Sequence, residues 1–172
     1  MGDGSMAELR VSHVGLCVAD LTTSLRFYTE GLGFEVAETY GAGEEVAAAA
    51  EITGGAQLTS QMITKDGLRL ELMWWAEPGC IGAPSTRRNQ VGLTHLSFEV
   101  DDLPGAEARL VVHGAKVIES TRTCVRNADV GYDLVFLTDP DGNRIELIQW
   151  ISSAENTDTR SRSAHTSRSA RG

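Results

Sequence analysis

His13 and His95 open two stretches with the same order of residue types. His13-Val-Gly-Leu-Cys-Val-Ala-Asp-Leu21 is matched by His95-Leu-Ser-Phe-Glu-Val-Asp-Asp-Leu103, at an offset of 82 (95 − 13). A second correspondence joins Lys65-Asp-Gly-Leu-Arg-Leu-Glu-Leu-Met73 to the region around Asp141-Gly-Asn-Arg-Ile-Glu-Leu-Ile148. There Glu71 matches Glu146 and Arg69 matches Arg144, at an offset of 75 (146 − 71). Two imidazoles and two carboxylates suit a borderline divalent ion such as Ni²⁺, Co²⁺, Zn²⁺, Mn²⁺ or Fe²⁺. If the repeated halves pack about a pseudo-twofold, the four side chains converge. Two octahedral positions then remain for a small molecule with adjacent oxygens. Taken singly, each residue has an ordinary explanation, because a strand His is usually an edge or core residue and a strand Glu faces water. Repetition favours ligands. Of the other two histidines, His165 lies in the tail, and His113 sits near a helix end as a surface residue or cap.

The elements that must carry these side chains can be taken in order. Leu9–Val18 alternates as a strand, and Asp20 offers a helix cap. Leu21, Ser24, Leu25, Tyr28 and Leu32 follow with helical spacing. Phe34–Tyr40 resumes strand character, and Glu44–Ile52 has the composition of a short helix. Gln57–Thr64 and Leu68–Trp75 form a hairpin through Asp66-Gly67. Pro78–Gln90 reads as a linker, after which the series returns: a helix from Leu103 to Gly114, then strands at Lys116–Thr121, Leu134–Thr138 and Asn143–Trp150. Asp139-Pro-Asp-Gly142 makes the last tight turn. The drop in offset from 82 to 75 places about seven extra residues of the first copy in Gly41–Gly55. The expected fold is α+β, two tandem βαβββ modules at 9–77 and 92–151, joined by 78–91. Residues 1–8 and the Ser/Arg-rich 152–172 are expected to be disordered.

The net charge is −9; residues 151–172 carry four Arg against Glu155 and Asp158, leaving −11 on 1–150. That balance argues against nucleic acid or an anionic membrane as partner. Cys17, Cys80 and Cys124 form no CxxC pair and suit a reducing compartment. With no apolar run of membrane-spanning length and no signal-like segment, a cytoplasmic location is expected.

The paired His-strand-Asp-Leu-helix openings and the Asp-Pro-Asp-Gly-x-x-Ile-Glu-Leu ending resemble the vicinal-oxygen-chelate superfamily over about residues 9–150. That superfamily includes glyoxalase I, methylmalonyl-CoA epimerase, extradiol dioxygenases and bleomycin-resistance proteins. The resemblance implies that the two modules form a U-shaped cleft, with His13, Glu71, His95 and Glu146 holding one metal ion. It also implies a homodimer. Extradiol dioxygenases need two His and one Glu, matching His13, His95 and Glu146 without Glu71. Glyoxalase I of the shorter type carries Glu where Glu71 stands, and methylmalonyl-CoA epimerase usually carries Gln. Bleomycin binders lack the metal set. The leading expectation is therefore a metal-dependent lyase, isomerase or epimerase that removes a proton beside a chelated carbonyl. Glu146, or Glu71 on the other side, would act as the base; alternatively both are plain ligands. An extradiol-type dioxygenase or a resistance and ligand-binding protein is the alternative.

Gln61, Trp74, Arg87 and Arg88 are four further candidates for substrate binding. Gln61 and Met62 alternate beside Glu71, so one of them lines the site. Trp74 and Trp75 alternate likewise, one towards the cleft and one away. Arg87 and Arg88 are either a solvated linker stretch or an anchor for an anionic group. Glu44–Ile52 is either a lid or ordinary packing.

Overall fold

Each of the two α-helices among the described residues begins at an aspartate. Asp20 accepts the Thr23 N–H at 2.6 Å, and Asp102 accepts the Gly105 N–H at 3.1 Å, filling orphan donors of the first turn. The Thr23 bond holds the Asp20 carboxyl below the usual carboxylate range. With its folded-state pKa depressed, the stability this cap contributes is present at neutral pH and is lost as pH falls through that pKa. At the other cap a Cβ on Gly105 would crowd the Asp102 carboxylate and push it off its capping position.

The computed structural model describes residues 8–127 and 130–152. The termini expected to be disordered lie outside the described residues except for Glu8 and Ser152. The fold is α+β, two tandem modules each with one four-stranded sheet. The chain divides into two compact units between Ile81 and Gly82, with Glu30–Leu32 grouped with the second. Among the described residues no helix is long and apolar enough to cross a membrane.

The first unit runs β1 (Val14–Cys17), α1 (Leu21–Arg26), a π-helical turn (Phe27–Gly31), β2 (Glu35–Ala42), β3 (Gln57–Lys65) and β4 (Leu68–Glu77). Its sheet order is β1-β4-β3-β2, with β1 parallel to β4 and the other pairs antiparallel. On β4, Leu70 and Leu72 are fully buried, with Ile63, Phe27 and Tyr28 also inside. Tyr28 meets Phe27 and Phe34 edge-on, at centroid separations of 5.3 and 5.9 Å. Each such aliphatic side chain contributes about 1.5–3 kcal/mol.

Two expectations for this unit need correction. Leu9–Val18 is not one long strand: Val14 pairs with Leu70, and β4 starts only two residues earlier, at Leu68. Residues 8–11 have no partner strand among the described residues, and Leu9 and Val11 are exposed. Glu44–Ile52 is a 3₁₀ turn (Glu44–Val46) followed by turns rather than a helix. Glu51 has a positive φ of 58°, and Glu44 and Glu45 spend their carboxylates on the Ala56 and Gly43 N–H groups.

The second unit runs β5 (Leu96–Glu99), α2 (Leu103–Val112), β6 (Lys116–Arg126), β7 (Gly131–Thr138) and β8 (Arg144–Trp150), in the order β5-β8-β7-β6. Val135, Leu137, Ile145, Leu147 and Leu110 form its core. Gln149 ties β8 to the start of α2, accepting the Leu103 N–H and donating to the Asp101 carbonyl. β6 extends five residues beyond the expected Thr121. Ile118 pairs with Phe136 and Thr123 with Leu134, so β6 bulges outward between them. Thr121 patches the gap: its Oγ1 accepts the Phe136 N–H and donates to the Ile118 carbonyl.

Asp139 organises the turn between β7 and β8. It is 1% exposed, and its carboxylate accepts from Asp141 N, Asn143 N and Asn143 Nδ2 at 2.8–3.0 Å. Asp139→Ala is expected to lower stability by about 2–4 kcal/mol, because three donors lose a charged acceptor. Asp66→Asn, in the exposed turn between β3 and β4, should change it by less than about 0.5 kcal/mol. Urea unfolding of the two variants beside wild type checks both values.

Candidate functional site

Strand alternation puts one carboxylate on the non-core face of each sheet. Glu71 stands between buried Leu70 and Leu72, and Glu146 between buried Ile145 and Leu147. The histidines sit one residue before β1 and β5, the strands parallel to β4 and β8. In the first unit His13 Nε2 lies 3.1 Å from Glu71 Oε2; in the second His95 Nε2 lies 3.7 Å from Glu146 Oε2. Both carboxylates are mostly covered, at 16% and 17% exposure.

Hydroxyl groups orient both members of each pair. Ser12 Oγ is 3.0 Å from His13 Nδ1, and Thr94 Oγ1 is 2.9 Å from His95 Nδ1. Nδ1 is thereby engaged and Nε2 is left to the carboxylate, the second-shell arrangement that fixes a ligating ring. Ser60 Oγ donates to Glu71 Oε1, and Ser97 Oγ donates to Glu146 Oε2, both at 2.5 Å. The two serines are not equivalent. Ser97 stands opposite Glu146 on β5, whereas the matching β1 position opposite Glu71 is Gly15. A Cβ on Gly15 would come 3.0 Å from Met73 Cε, the far end of a flexible side chain, and the hydroxyl in the first unit comes from Ser60 on β3.

Each unit thus offers one imidazole nitrogen and one carboxylate oxygen, a donor pair whose chemistry fits a borderline divalent ion. Among the described residues no group of three or more His, Cys, Asp and Glu side chains is gathered. The structure therefore brings together His13 with Glu71, and His95 with Glu146, each pair within its own unit.

The substrate candidates divide. Gln61 is turned to the face away from Glu71 and is 5% exposed. Its amide is consumed by Thr39 Oγ1 and by the carbonyls of Glu38 and Met62. Met62 stands directly opposite Glu71. Trp74 shares the face of Leu70 and Leu72, and Trp75 shares that of Glu71. Arg87 is exposed. Arg88 donates to the Thr94 carbonyl and borders a cavity of about 580 Å³ in the second unit.

That cavity opens where β6 bulges from β7. Phe136, directly opposite Glu146, presents its ring edge-to-face to the His95 imidazole at 5.3 Å. Arg144, on the same face of β8 as Glu146, also lines it. Burial first, and then the Arg88 charge, hold the Arg144 guanidinium below its usual pKa range. Arg144 was legible only as a face-mate of Glu146. Ser12 and Thr94 were legible as a repeated hydroxyl-His dipeptide. Ser60 and Ser97 leave no repeat signal.

The model of the Glyoxalase/Bleomycin resistance protein/Dioxygenase superfamily matches residues 10–147. The chain belongs to that superfamily. The superfamily assignment accords with solved structures of similar fold. A glyoxalase family protein from Bacillus cereus aligns with a TM-score of 0.72 at 21% identity, over 88% of this chain and all of that one. Glyoxalase I from Zea mays aligns with a TM-score of 0.57 at 20% identity, over 80% of this chain and 43% of that one. Catechol-2,3-dioxygenase of Bacillus subtilis (strain 168) is 28% identical over 143 residues, covering 81% of this chain. The chain spans about two fifths (41%) of that relative's length.

Removing the Ser60 hydroxyl leaves a largely covered Glu71 oxygen without its donor, so Ser60→Ala should cost about 1–3 kcal/mol. Adding Gly15→Ser supplies a hydroxyl where the second unit carries Ser97, displacing only the flexible Met73 tip. The double variant is expected to recover part of that loss in urea unfolding.

Proposed function

We propose that the chain is a metal-dependent lyase, isomerase or epimerase that moves a proton at a carbon beside a carbonyl. The observation that carries this reading is the duplicated His–Glu pair, each with a hydroxyl on the imidazole and another on the carboxylate. His13, Glu71, His95 and Glu146 would together hold one divalent ion, Ni²⁺, Co²⁺, Zn²⁺, Mn²⁺ or Fe²⁺, within one chain or between two copies. When bound, that ion would supply Lewis acidity at a carbonyl chelated with a neighbouring oxygen. Glu146 is the favoured base, with Glu71 its counterpart. The Ser97 hydroxyl holds the Glu146 carboxylate in one orientation, so the proton can be taken and returned with little movement. His95 is steadied by Thr94 and by the Phe136 ring. A homodimer fits the edge positions of β1 and β5, whose outer backbone a second copy could pair. Three cysteines outside any disulfide support a cytoplasmic location.

Metal titration of chelator-treated protein should give one ion per four-ligand set. His13→Ala, Glu71→Gln, His95→Ala and Glu146→Gln should each weaken binding at least tenfold. Micromolar binding that survives the Glu71→Gln, Glu146→Gln double change would defeat the ligand assignment. For the reaction, deuterium wash-in from D₂O is expected with either the hemithioacetal of methylglyoxal or a 2-substituted malonyl thioester. Glu146→Gln should slow it at least a hundredfold.

The dioxygenase-named relative favours a second reading, ring cleavage of a catechol. Oxygen uptake by Fe²⁺-loaded protein with catechol, together with no wash-in, would select that reading over proton transfer.

A further inference from the structure

Among the described residues, Arg69, Arg126 and Arg144 are the half-buried arginines. Arg69 has Glu38 at 2.7 Å, and Arg126 has Asp133 at 2.7 Å. Arg144 has no carboxylate partner among the described residues. It lines the cavity beside β6 together with Arg88 and His95, and no Asp or Glu lines that cavity. In a chain of net charge −9, two guanidiniums facing one space without a lining acid is an unbalanced arrangement. A partly desolvated cation beside a like charge is costly unless an anion joins it. Ile118, Leu134 and Phe136 supply an apolar part of the wall, and Thr94, Thr121 and Thr123 complete it, with the Thr94 hydroxyl on His95 and the Thr123 hydroxyl on the Thr121 carbonyl. Thr121 closes the bulge with its hydroxyl committed to backbone at both ends, so it adds no unsatisfied polar group to that wall.

We propose that this cavity receives a small organic carboxylate whose body is apolar. The carboxylate sits between Arg88 and Arg144, and the body packs on Phe136, Leu134 and Ile118. Planar guanidinium groups suit a carboxylate through paired N–H donors, and a volume of about 580 Å³ suits a drug-sized or smaller molecule. Because His95 borders the same space, the proposal deepens the reading above by making the substrate an anion with an apolar or aromatic part. It rests on that reading only for the word substrate; the binding itself needs no metal.

The test titrates full-length, chelator-treated protein with phenylacetate, phenylacetamide and inorganic phosphate, followed by amide NMR shifts. Phenylacetate is expected to shift the amides of Thr121, Leu134 and Phe136, and to bind at least tenfold more tightly than the neutral amide. Arg144→Gln and Arg88→Gln should each weaken phenylacetate at least tenfold and leave phenylacetamide unchanged, while Arg144→Lys retains part of the binding. Divalent-ion uptake by the arginine variants should match wild type, which also shows that they fold. Equal binding of acid and amide, or phosphate binding as tight as phenylacetate, would overturn the proposal. So would shifts scattered over the surface. Loss of metal uptake on His95→Ala with phenylacetate binding intact bears on the metal site alone, so the two ideas fail separately.

Discussion

A carboxylate in the middle of a strand whose immediate neighbours are fully buried has only one direction to face. Glu71 is held this way by Leu70 and Leu72, and Glu146 by Ile145 and Leu147. A one-residue slip of register would drive either carboxylate into the core and expose the aliphatics. The hairpin turns therefore carry more than connectivity. Asp66 and Gly67, both at positive φ, make a two-residue reversal in the first unit. In the second, the buried Asp139 network locks a longer turn. Parallel pairing with β1 and β5 then delivers an imidazole to each carboxylate.

The two units satisfy that constraint by different means. Glu71 takes its hydroxyl from β3 and has only Gly15 across on β1; Glu146 takes its hydroxyl from Ser97 on β5. Met62 faces Glu71, whereas Phe136 faces Glu146 and braces His95. The two His–Glu pairs match in chemistry while their supports differ. The open space lies beside the second pair, because β6 bulges there and β7 offers an aromatic wall. An asymmetric setting around matched pairs suits a reaction in which the two carboxylates have different tasks.

This difference between the units explains what could be seen in the chain alone. The His and Glu positions were legible because both stand in repeated patterns, one at offset 82 and one at 75. The α+β class and the sheet elements followed from alternation and from the Asp-Gly turns. The short β1 was not legible, since its length depends on where β4 begins and not on its own alternation. Gln61 and Trp74 were drawn in by adjacency to Glu71, yet pairing register turns both to the other face. Arg144 shares a face with Glu146, but that it has no carboxylate partner among the described residues is visible only when Arg69 and Arg126 are seen with theirs.

The claim on which the rest depends is that both imidazoles and both carboxylates meet one ion. X-ray absorption spectroscopy of Ni²⁺-loaded protein measures this directly, because imidazole rings give a countable outer-shell scattering pattern. Two imidazoles with oxygen ligands are expected in wild type, and one after His95→Ala or His13→Ala. A shell without imidazole, or one that neither substitution changes, would contradict it.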